Sequence, residues 1–322
     1  MLFTKPKKAV GIDVGSHSVK SVQMSRSAGH LRIDAAGYAL VDRGQFNIDP
    51  VAAQANAIRE SVRSMAVQNA LLVGALPGHT VVIRYPRLPQ TDEARLAEAV
   101  EKEAGQHIPY DLAVVSLDWS LLDTVTEGEE KLSKVLLVAA KHEVIDARVQ
   151  LADAADVRYS VLGVDSLALA DAAEVCDFLR VGETVALVNI GLTSTSVHFV
   201  KDGVSNFIRD VSWGARELIQ AISRQQKLDF DQAERALYAA AEERGEAASV
   251  EEPRAEEAKP AAKGSSPLDP FEDELEGGPS PAKKAAPSTG DKNTGEIIAT
   301  TLTKLVNEIR RSFEYYEHEL YE

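Results

Sequence analysis

Apolar residues recur along the chain with two different periods, and the change of period separates strands from helices. Short apolar runs bounded by glycine or proline predict strands at 9–24, 31–41 and 71–78. A spacing of three or four predicts a helix over 50–66 with Val51, Ala55, Ile58, Val62 and Met65 on its buried face. The nearly continuous run 71–78 predicts a strand buried on both faces. Strands that alternate with helices are typical of the α/β class.

The stretch 9–24 predicts a β-hairpin with a polar turn, because two apolar strands flank small residues. The turn consists of Gly15, Ser16, His17 and Ser18. Asp13 interrupts the first strand, and an acid among apolar residues is costly without a partner. The backbone N–H groups, the hydroxyls and Lys20 suit phosphate oxygens. The stretch therefore indicates either a phosphate site with Mg²⁺ or an ordinary hairpin whose aspartate caps its own turn.

A second hairpin, at 184–200, repeats this pattern in the second half of the chain. The letters NIGLTSTSV match IDVGSHSVK in order: apolar strand, polar residue, glycine, hydroxyl-rich turn and apolar strand. Two such turns that face one another could hold a triphosphate from both sides. The repeat therefore favours the phosphate interpretation over the ordinary hairpin.

The remaining segments predict an insertion and a helical end. Residues 79–162 read as a β-α-β-β-α-β insertion, and helices follow at 166–179, 215–225 and from 229 onward. Residues 241–293 are rich in Ala, Glu, Pro, Gly, Ser and Lys, with few large apolar groups, which predicts a disordered acidic loop. A long helix with one apolar face is predicted over 296–321.

Composition and charge narrow the class of protein. A chain of 322 residues can form two domains, and its net charge of -15 argues against a nucleic-acid surface. The sequence lacks an apolar run of about 18 residues and an apolar signal peptide, so we expect a cytoplasmic protein. The single cysteine, Cys176, lies in an apolar helical run and is expected to be a packed, reduced thiol.

Five segments together resemble the PilM family of type IV pilus assembly proteins, within the actin-like ATPase superfamily. The segments are GIDVGSHSVKSVQM, YPRLPQTDEARLAEAVEKEAGQHIPYDLAVVSLDW, NIGLTSTSVHFVKDG, AERAL and IRRSFEYYEHEL. The proline-helix-proline segment between Tyr85 and Asp111 is the specific part, since sugar kinases lack it. The resemblance covers nearly the whole chain outside 241–293.

The resemblance implies a two-lobed actin-like, ribonuclease H-like fold with an inserted subdomain placed as in the division protein FtsA. The implied domains are the first lobe with its N-terminal part at 1–78 and its return helix at 163–182, the inserted subdomain at 79–162, the second-lobe core at 183–228, and a helical subdomain at 229–322 that the loop 241–293 interrupts.

The resemblance also implies an ATP-Mg²⁺ site between the lobes. Its residues would be Asp13, which contacts Mg²⁺ through water, then Gly15, Ser16, Ser18 and Lys20 on the first hairpin, Asn189, Gly191, Thr193, Ser194 and Thr195 on the second, and Glu234. Asn189 replaces the usual aspartate, Leu237 replaces a lysine, and the Gly-Gly turn that holds adenine would follow Glu322. We therefore expect weak ATP binding with little or no hydrolysis and no catalytic residue.

The implied role is a scaffold at the cytoplasmic side of the inner membrane. Its partners would be the N-terminal tail of a PilN-like membrane protein, the pilus assembly platform and its motor proteins, and further copies of the chain in an oligomer or ring. Two alternatives are a sugar or carboxylate kinase, which would need a catalytic base, and a polymerising division-type membrane anchor. The acidic end EYYEHELYE argues against the latter.

Overall fold

The computed structural model describes residues 8–27, 30–128, 130–250 and 293–320. The strands are β1 Lys8–Val14, β2 Ser18–Ser27, β3 His30–Leu40, β4 Leu71–Leu76, β5 Val81–Arg84, β6 Arg87–Pro89, β7 Val115–Glu127, β8 Glu130–Lys141, β9 Val161–Val164, β10 Thr184–Ile190, β11 Thr195–Lys201 and β12 Val204–Val211. The helices are α1 Arg43–Ile48, α2 Pro50–Ser61, α3 Glu93–His107, α4 His142–Ala154, α5 Asp165–Val175, α6 Ala215–Gln226, α7 Phe230–Val250 and α8 Thr294–Leu320. Among these helices, none combines the length and apolar character that a membrane span requires.

The strands form three sheets, which confirms the predicted α/β class. The first sheet has the order β3-β2-β1-β4-β9, in which β1, β4 and β9 run parallel. The second sheet is antiparallel and places β5, β6 and β7 beside β8. The third has the order β10-β11-β12, again antiparallel. Both predicted hairpins are present, as β1-β2 and β10-β11.

The last helix and the last strand predicted within the insertion 79–162 lie with the first sheet in the structure. In the structure β9 pairs with β4, and α4 packs against α2 beside the first sheet. Parallel neighbours need a long crossover connection, and the chain between β4 and β9 provides one because it passes through the second sheet and α4. The second sheet therefore comprises β5–β8, covered by α3 through Leu96, Val100 and Ala104. The domain boundaries themselves stay a prediction.

Several local expectations are wrong. Helix α2 ends at Ser61, five residues earlier than predicted, and Val51 in its first turn is 49% exposed. The other four predicted positions, Ala55, Ile58, Val62 and Met65, are buried. Alternate residues of β4 are only half-buried, so this strand is not enclosed on both faces. Cys176 is exposed because it follows the last turn of α5.

The expected loop begins later than predicted. Helix α7 continues through 241–250, where alanine and glutamate favour helix, and α8 begins at Thr294. The rest of the predicted loop, 251–292, lies outside the described residues.

The described residues divide into two compact units. One comprises Met1–Glu217 with Thr303–Glu322, and the other comprises Leu218–Leu302. In the first unit Tyr316 of α8 stacks on Phe199 of β11, with ring centroids 4.4 Å apart. In the second unit the Gln226 side chain donates to Thr294 Oγ1 at 2.9 Å, which connects α6 to α8.

The first sheet and α2 approach most closely at Gly37. A Cβ atom on Gly37 would lie 1.7 Å from the Ser61 carbonyl oxygen. Beside it the hydroxyls of Ser21 and Ser61 share a buried hydrogen bond of 2.8 Å. A larger residue at position 37 would therefore force the helix away from the sheet and disturb this bond.

We predict that Gly37→Ala lowers the free energy of unfolding by about 3 kcal/mol, because the backbone of α2 must move to admit the methyl group. Gly11→Ala is the matched control, since a Cβ on Gly11 meets nothing within 4 Å. We expect the control to change stability by less than about 1 kcal/mol. Urea denaturation measures both, and equal stability of the two variants would contradict the close approach.

Candidate functional site

The turns of the two hairpins have the same backbone geometry. Gly15 N–H donates to the Ser18 carbonyl at 3.1 Å, and Gly191 N–H donates to the Ser194 carbonyl at 2.8 Å. A Cβ on Gly15 would lie 2.9 Å from the Ser18 carbonyl oxygen, and a Cβ on Gly191 would lie 3.0 Å from the Ser194 carbonyl oxygen. Both turns therefore favour glycine at the first position because the chain closes tightly on itself.

Neighbouring segments hold each turn in place. Gln54 of α2 donates to the Gly15 carbonyl at 3.1 Å. On the second hairpin, Ala215 at the start of α6 donates its N–H to the Gly191 carbonyl at 2.9 Å. The Thr195 hydroxyl is buried and donates to the Trp213 carbonyl at 2.8 Å, so it braces the turn from inside.

The polar residue two positions before each glycine differs between the hairpins. Asp13 pairs with Lys20 across β1 and β2, with Lys20 Nζ 3.4 Å from Asp13 Oδ2. The two side chains are 60% and 59% exposed, so the pair adds little stability and leaves the carboxylate accessible. Asn189 occupies the equivalent position and lies opposite Ser196, so the second hairpin has neither charge.

The other predicted site residues differ in their exposure to solvent and in the unit to which they belong. Ser16, Ser194 and Gly191 are half-buried, Ser18 is buried, and Thr193 is exposed. Glu234 lies in α7, within the unit Leu218–Leu302, where it is half-buried. The structure therefore brings the predicted residues of each hairpin together on its own turn, and Glu234 belongs to the other unit.

The carboxyl ends of the parallel strands meet at one edge of the first sheet. Asp13 is near the end of β1, Gly78 follows β4, and Asp165 follows β9. Asp165 accepts hydrogen bonds from the Gly78 N–H at 2.9 Å and from the Ser166 N–H at 2.6 Å. This edge is where open parallel sheets usually bind ligands.

Asp210 of β12 brings the third sheet to the same edge. A Cβ on Gly78 would lie 2.9 Å from Asp210 Oδ2 and 3.3 Å from Asp165 Oδ1. A side chain at position 78 would thus force the Asp210 carboxylate to shift and would crowd that of Asp165. Gly78 allows a strand end from the first sheet and one from the third to lie close together.

Burial makes these carboxylates harder to ionise. The pKa of Asp165 is raised by burial and by the charge of Asp13, against the two backbone hydrogen bonds and His79, which lower it. The pKa of Asp210 is raised by burial and by the charge of Asp165, and His79 again lowers it. The edge therefore concentrates negative charge that the protein only partly offsets. Within the described ranges, no group of three or more His, Cys, Asp or Glu side chains is arranged to hold a metal ion.

A chain of hydrogen bonds connects the inserted sheet to the third sheet and to α5. Tyr85 Oη lies 2.6 Å from Ser205 Oγ, which lies 2.8 Å from His198 Nε2. His198 Nδ1 lies 3.1 Å from the Ser166 carbonyl. Because a carbonyl only accepts, Nδ1 carries the proton and Nε2 accepts from Ser205. Burial lowers the pKa of His198 to about 4, so the ring stays neutral at pH 7.

Sequence reasoning did not find Asp165, Asp210 or His198. Each lies inside or directly after an apolar strand, as Asp13 does. A polar residue within an apolar run was therefore a signal for all of them, but without a glycine-rich turn nearby it did not stand out.

A family model described as "Type IV pilus assembly protein PilM" matches residues 11–257. The fold is similar to a solved PilM-PilN type IV pilus biogenesis complex, with a TM-score of 0.69 at 20% identity, covering 97% of this chain and 78% of that chain. The cytoplasmic domain of EpsL, from the type II secretion system of Vibrio cholerae, matches with a TM-score of 0.39 at 14% identity, covering 69% of this chain and 76% of that one. The mixed α/β fold is thus of the actin-like class.

We predict that Asp210→Asn stabilises the protein at pH 7, because an amide removes the cost of a buried charge beside Asp165. The pKa of Asp210 is raised above the unfolded value of 3.8, so ionisation costs native stability. This cost is absent below pH 3.8 and grows as pH rises through the folded pKa.

Thermal unfolding across pH measures this effect. The gain should be below about 1 kcal/mol at pH 7, since the carboxyl is partly exposed to solvent. The matched control is Asp146→Asn on the exposed face of α4, which should show no such rise with pH. Loss of stability in Asp210→Asn at pH 7 would mean that the carboxylate stabilises the fold instead.

Proposed function

The chain belongs to the PilM family of type IV pilus assembly proteins, and from this premise we propose that it is a cytoplasmic scaffold that binds the N-terminal tail of a PilN-like inner-membrane protein. The observation that carries the proposal is the family match over 11–257, supported by the fold likeness to a PilM-PilN complex. The protein would lie at the inner membrane through this partner and connect it to the pilus platform and motor proteins. Further copies of the chain would assemble into an oligomer or ring.

The inserted sheet offers a surface for an extended peptide. Tyr110, Leu112 and Val114 follow α3 and are 42%, 39% and 49% exposed. Lys141 Nζ lies 4.4 Å from the centre of the Tyr110 ring, which holds a positive charge beside these apolar side chains. Apolar side chains presented by fixed elements are typical anchors for a bound peptide. We propose that the tail of the partner binds here.

The second part of the proposal is a weak ATP-Mg²⁺ site at the repeated hairpins. The hydroxyls of Ser16 and Thr193 and the charge of Lys20 suit phosphate oxygens, and the accessible carboxylate of Asp13 suits a hydrated Mg²⁺. The remaining proposed contacts are Gly15, Ser18, Asn189, Gly191, Ser194 and Thr195. The negatively charged phosphates of bound ATP would contact both turns and hold them in one arrangement. Asn189 offers an amide where a carboxylate would be needed to activate water, so we propose binding with little hydrolysis.

We predict that a synthetic peptide with the N-terminal cytoplasmic sequence of a PilN-like partner binds the full chain. Replacing Leu112 and Val114 together by serine should weaken binding about 10-fold, because apolar anchors contribute most of such affinity. Ile48→Ser is the matched control, since Ile48 is 88% exposed and lies on α1, outside the inserted sheet. Isothermal titration calorimetry measures the three affinities.

Absence of heat with the wild-type chain would contradict the scaffold proposal. Equal binding by the wild-type chain and the Leu112/Val114 variant would contradict only the proposed surface.

We predict that Mg²⁺-ATP stabilises the chain by about 2.7 kcal/mol at 100 times its Kd, because a ligand that binds only the native state shifts unfolding by mass action. Asp13→Asn should weaken this Mg²⁺-dependent binding about 10-fold through loss of the outer-sphere carboxylate. Asp171→Asn, an exposed change on α5, is the control and should behave as wild type. An unchanged thermal unfolding curve at millimolar Mg²⁺-ATP would overturn the nucleotide site.

A further inference from the structure

The geometry points to Arg148 and Tyr159 as a phosphate-binding pair between α4 and the first sheet, beside the first hairpin, where they would hold a phosphate group of a bound nucleotide or a free phosphate ion. This inference rests on the nucleotide site proposed above, and it adds residues from outside the two hairpins.

Arg148 is a half-buried cation that lacks a close partner. It lies on α4, three and four residues before the buried Leu151 and Ala152, so it belongs to the face that packs on the sheet. Among the described residues its guanidinium has neither a hydrogen bond nor an ion pair within 4 Å. Burial lowers the pKa of Arg148, while the charges of Tyr159, Asp13 and Asp165 raise it. A guanidinium in this position favours an anion that can accept several of its N–H groups.

Tyr159 supplies a second unused polar group beside it. Its hydroxyl oxygen is buried and has no hydrogen-bond partner among the described residues. Its ring lies against β4, where a Cβ on Gly74 would be 2.5 Å from the ring. A buried hydroxyl without a partner costs stability, so its presence is explained if a ligand accepts a hydrogen bond from it.

The first hairpin lies close to both groups. Gly74 pairs with Ile12 of β1, the residue before Asp13. Burial raises the pKa of Tyr159, the charge of Arg148 lowers it and the charge of Asp13 raises it. The charge of Asp13 also raises the pKa of Arg148. Tyr159 packs against the core cluster that includes Leu151 and Ala152 of α4, so it lies under the face of the helix that carries Arg148.

The positive charge of Arg148 would offset the repulsion between a bound phosphate and the carboxylates near the first hairpin. A phosphate group at the first hairpin would lie near the carboxylates of Asp13 and Asp165, which repel it. Lys20 is already paired with Asp13, at 3.4 Å. Arg148 supplies an additional positive charge from α4, and its planar fork matches two phosphate oxygens.

The experiment compares the full chain with Arg148→Gln and Tyr159→Phe by calorimetry, with Mg²⁺-ATP and inorganic phosphate as separate probes. Arg158→Gln is the matched control, because Arg158 is exposed, adjoins Tyr159 and changes the net charge equally. We expect Arg148→Gln to weaken binding about 10- to 100-fold and Tyr159→Phe about 3- to 10-fold, with the control within about twofold of wild type.

Thermal unfolding without ligand separates binding from structure. Tyr159→Phe should be as stable as wild type or more stable, because it removes a hydroxyl that has no partner. If Arg148→Gln does not fold, Arg148→Lys replaces it, and this variant should still bind more weakly than wild type because it lacks the planar fork.

Each outcome decides the inference. Wild-type affinity for both probes in the Arg148 and Tyr159 variants would overturn it and leave the nucleotide site intact. Binding of phosphate but not ATP, with loss in Arg148→Gln, would support the pair and overturn the nucleotide site. Absence of binding of either probe to the wild-type chain would overturn both.

Discussion

The tight closure of a backbone turn at a glycine is the constraint on which the candidate site depends. In each hairpin a glycine N–H donates to the carbonyl of a serine three residues later, at 3.1 Å for Gly15 and 2.8 Å for Gly191. This closure leaves Ser16, Thr193 and Ser194 half-buried or exposed, while Ser18 is buried. It also sets the cross-strand partner of the polar residue two positions before each glycine, which is Lys20 for Asp13 and Ser196 for Asn189. Because side chains alternate between the two faces of a strand, this pairing also decides the face on which the polar residue lies. Sheet, turn and candidate ligand contacts are therefore set by one local geometry that occurs twice.

The edge beside the first hairpin concentrates charges that do not help the fold. Asp165 and Asp210 are partly buried near one another, and burial raises the pKa of each. Arg148 is a half-buried cation of α4 on which the charges of Asp13 and Asp165 act, and it forms no ion pair within 4 Å among the residues that the structure describes. Such groups cost stability in the absence of a ligand, and clusters of this kind occur where proteins bind charged molecules. The buried and satisfied chain from Tyr85 to His198, by contrast, serves to hold the sheets together.

Features set by neighbouring residues could be predicted from the sequence. The hairpin at Gly15, its repeat at Gly191 and the apolar face of α8 follow from short-range patterns, and family membership followed from motifs. The pairing of β9 with β4 could not be predicted, because the strand has few residues and its partner depends on where α4 crosses. The meeting of Asp165 with Asp210 requires three strand ends to converge at Gly78. Arg148 did not stand out in the sequence, although its spacing from Leu151 places it on the buried face of α4.

A titration of the ¹⁵N-labelled chain with Mg²⁺-ATP, followed by the backbone amide signals in NMR, tests most directly whether the repeated hairpins bind one ligand. Shifts that saturate together in both turns, 15–18 and 191–194, are the predicted result, with Asp165 and its neighbours responding at the same concentrations. Shifts confined to one turn, or unchanged signals in both at millimolar nucleotide, would contradict a two-sided phosphate site.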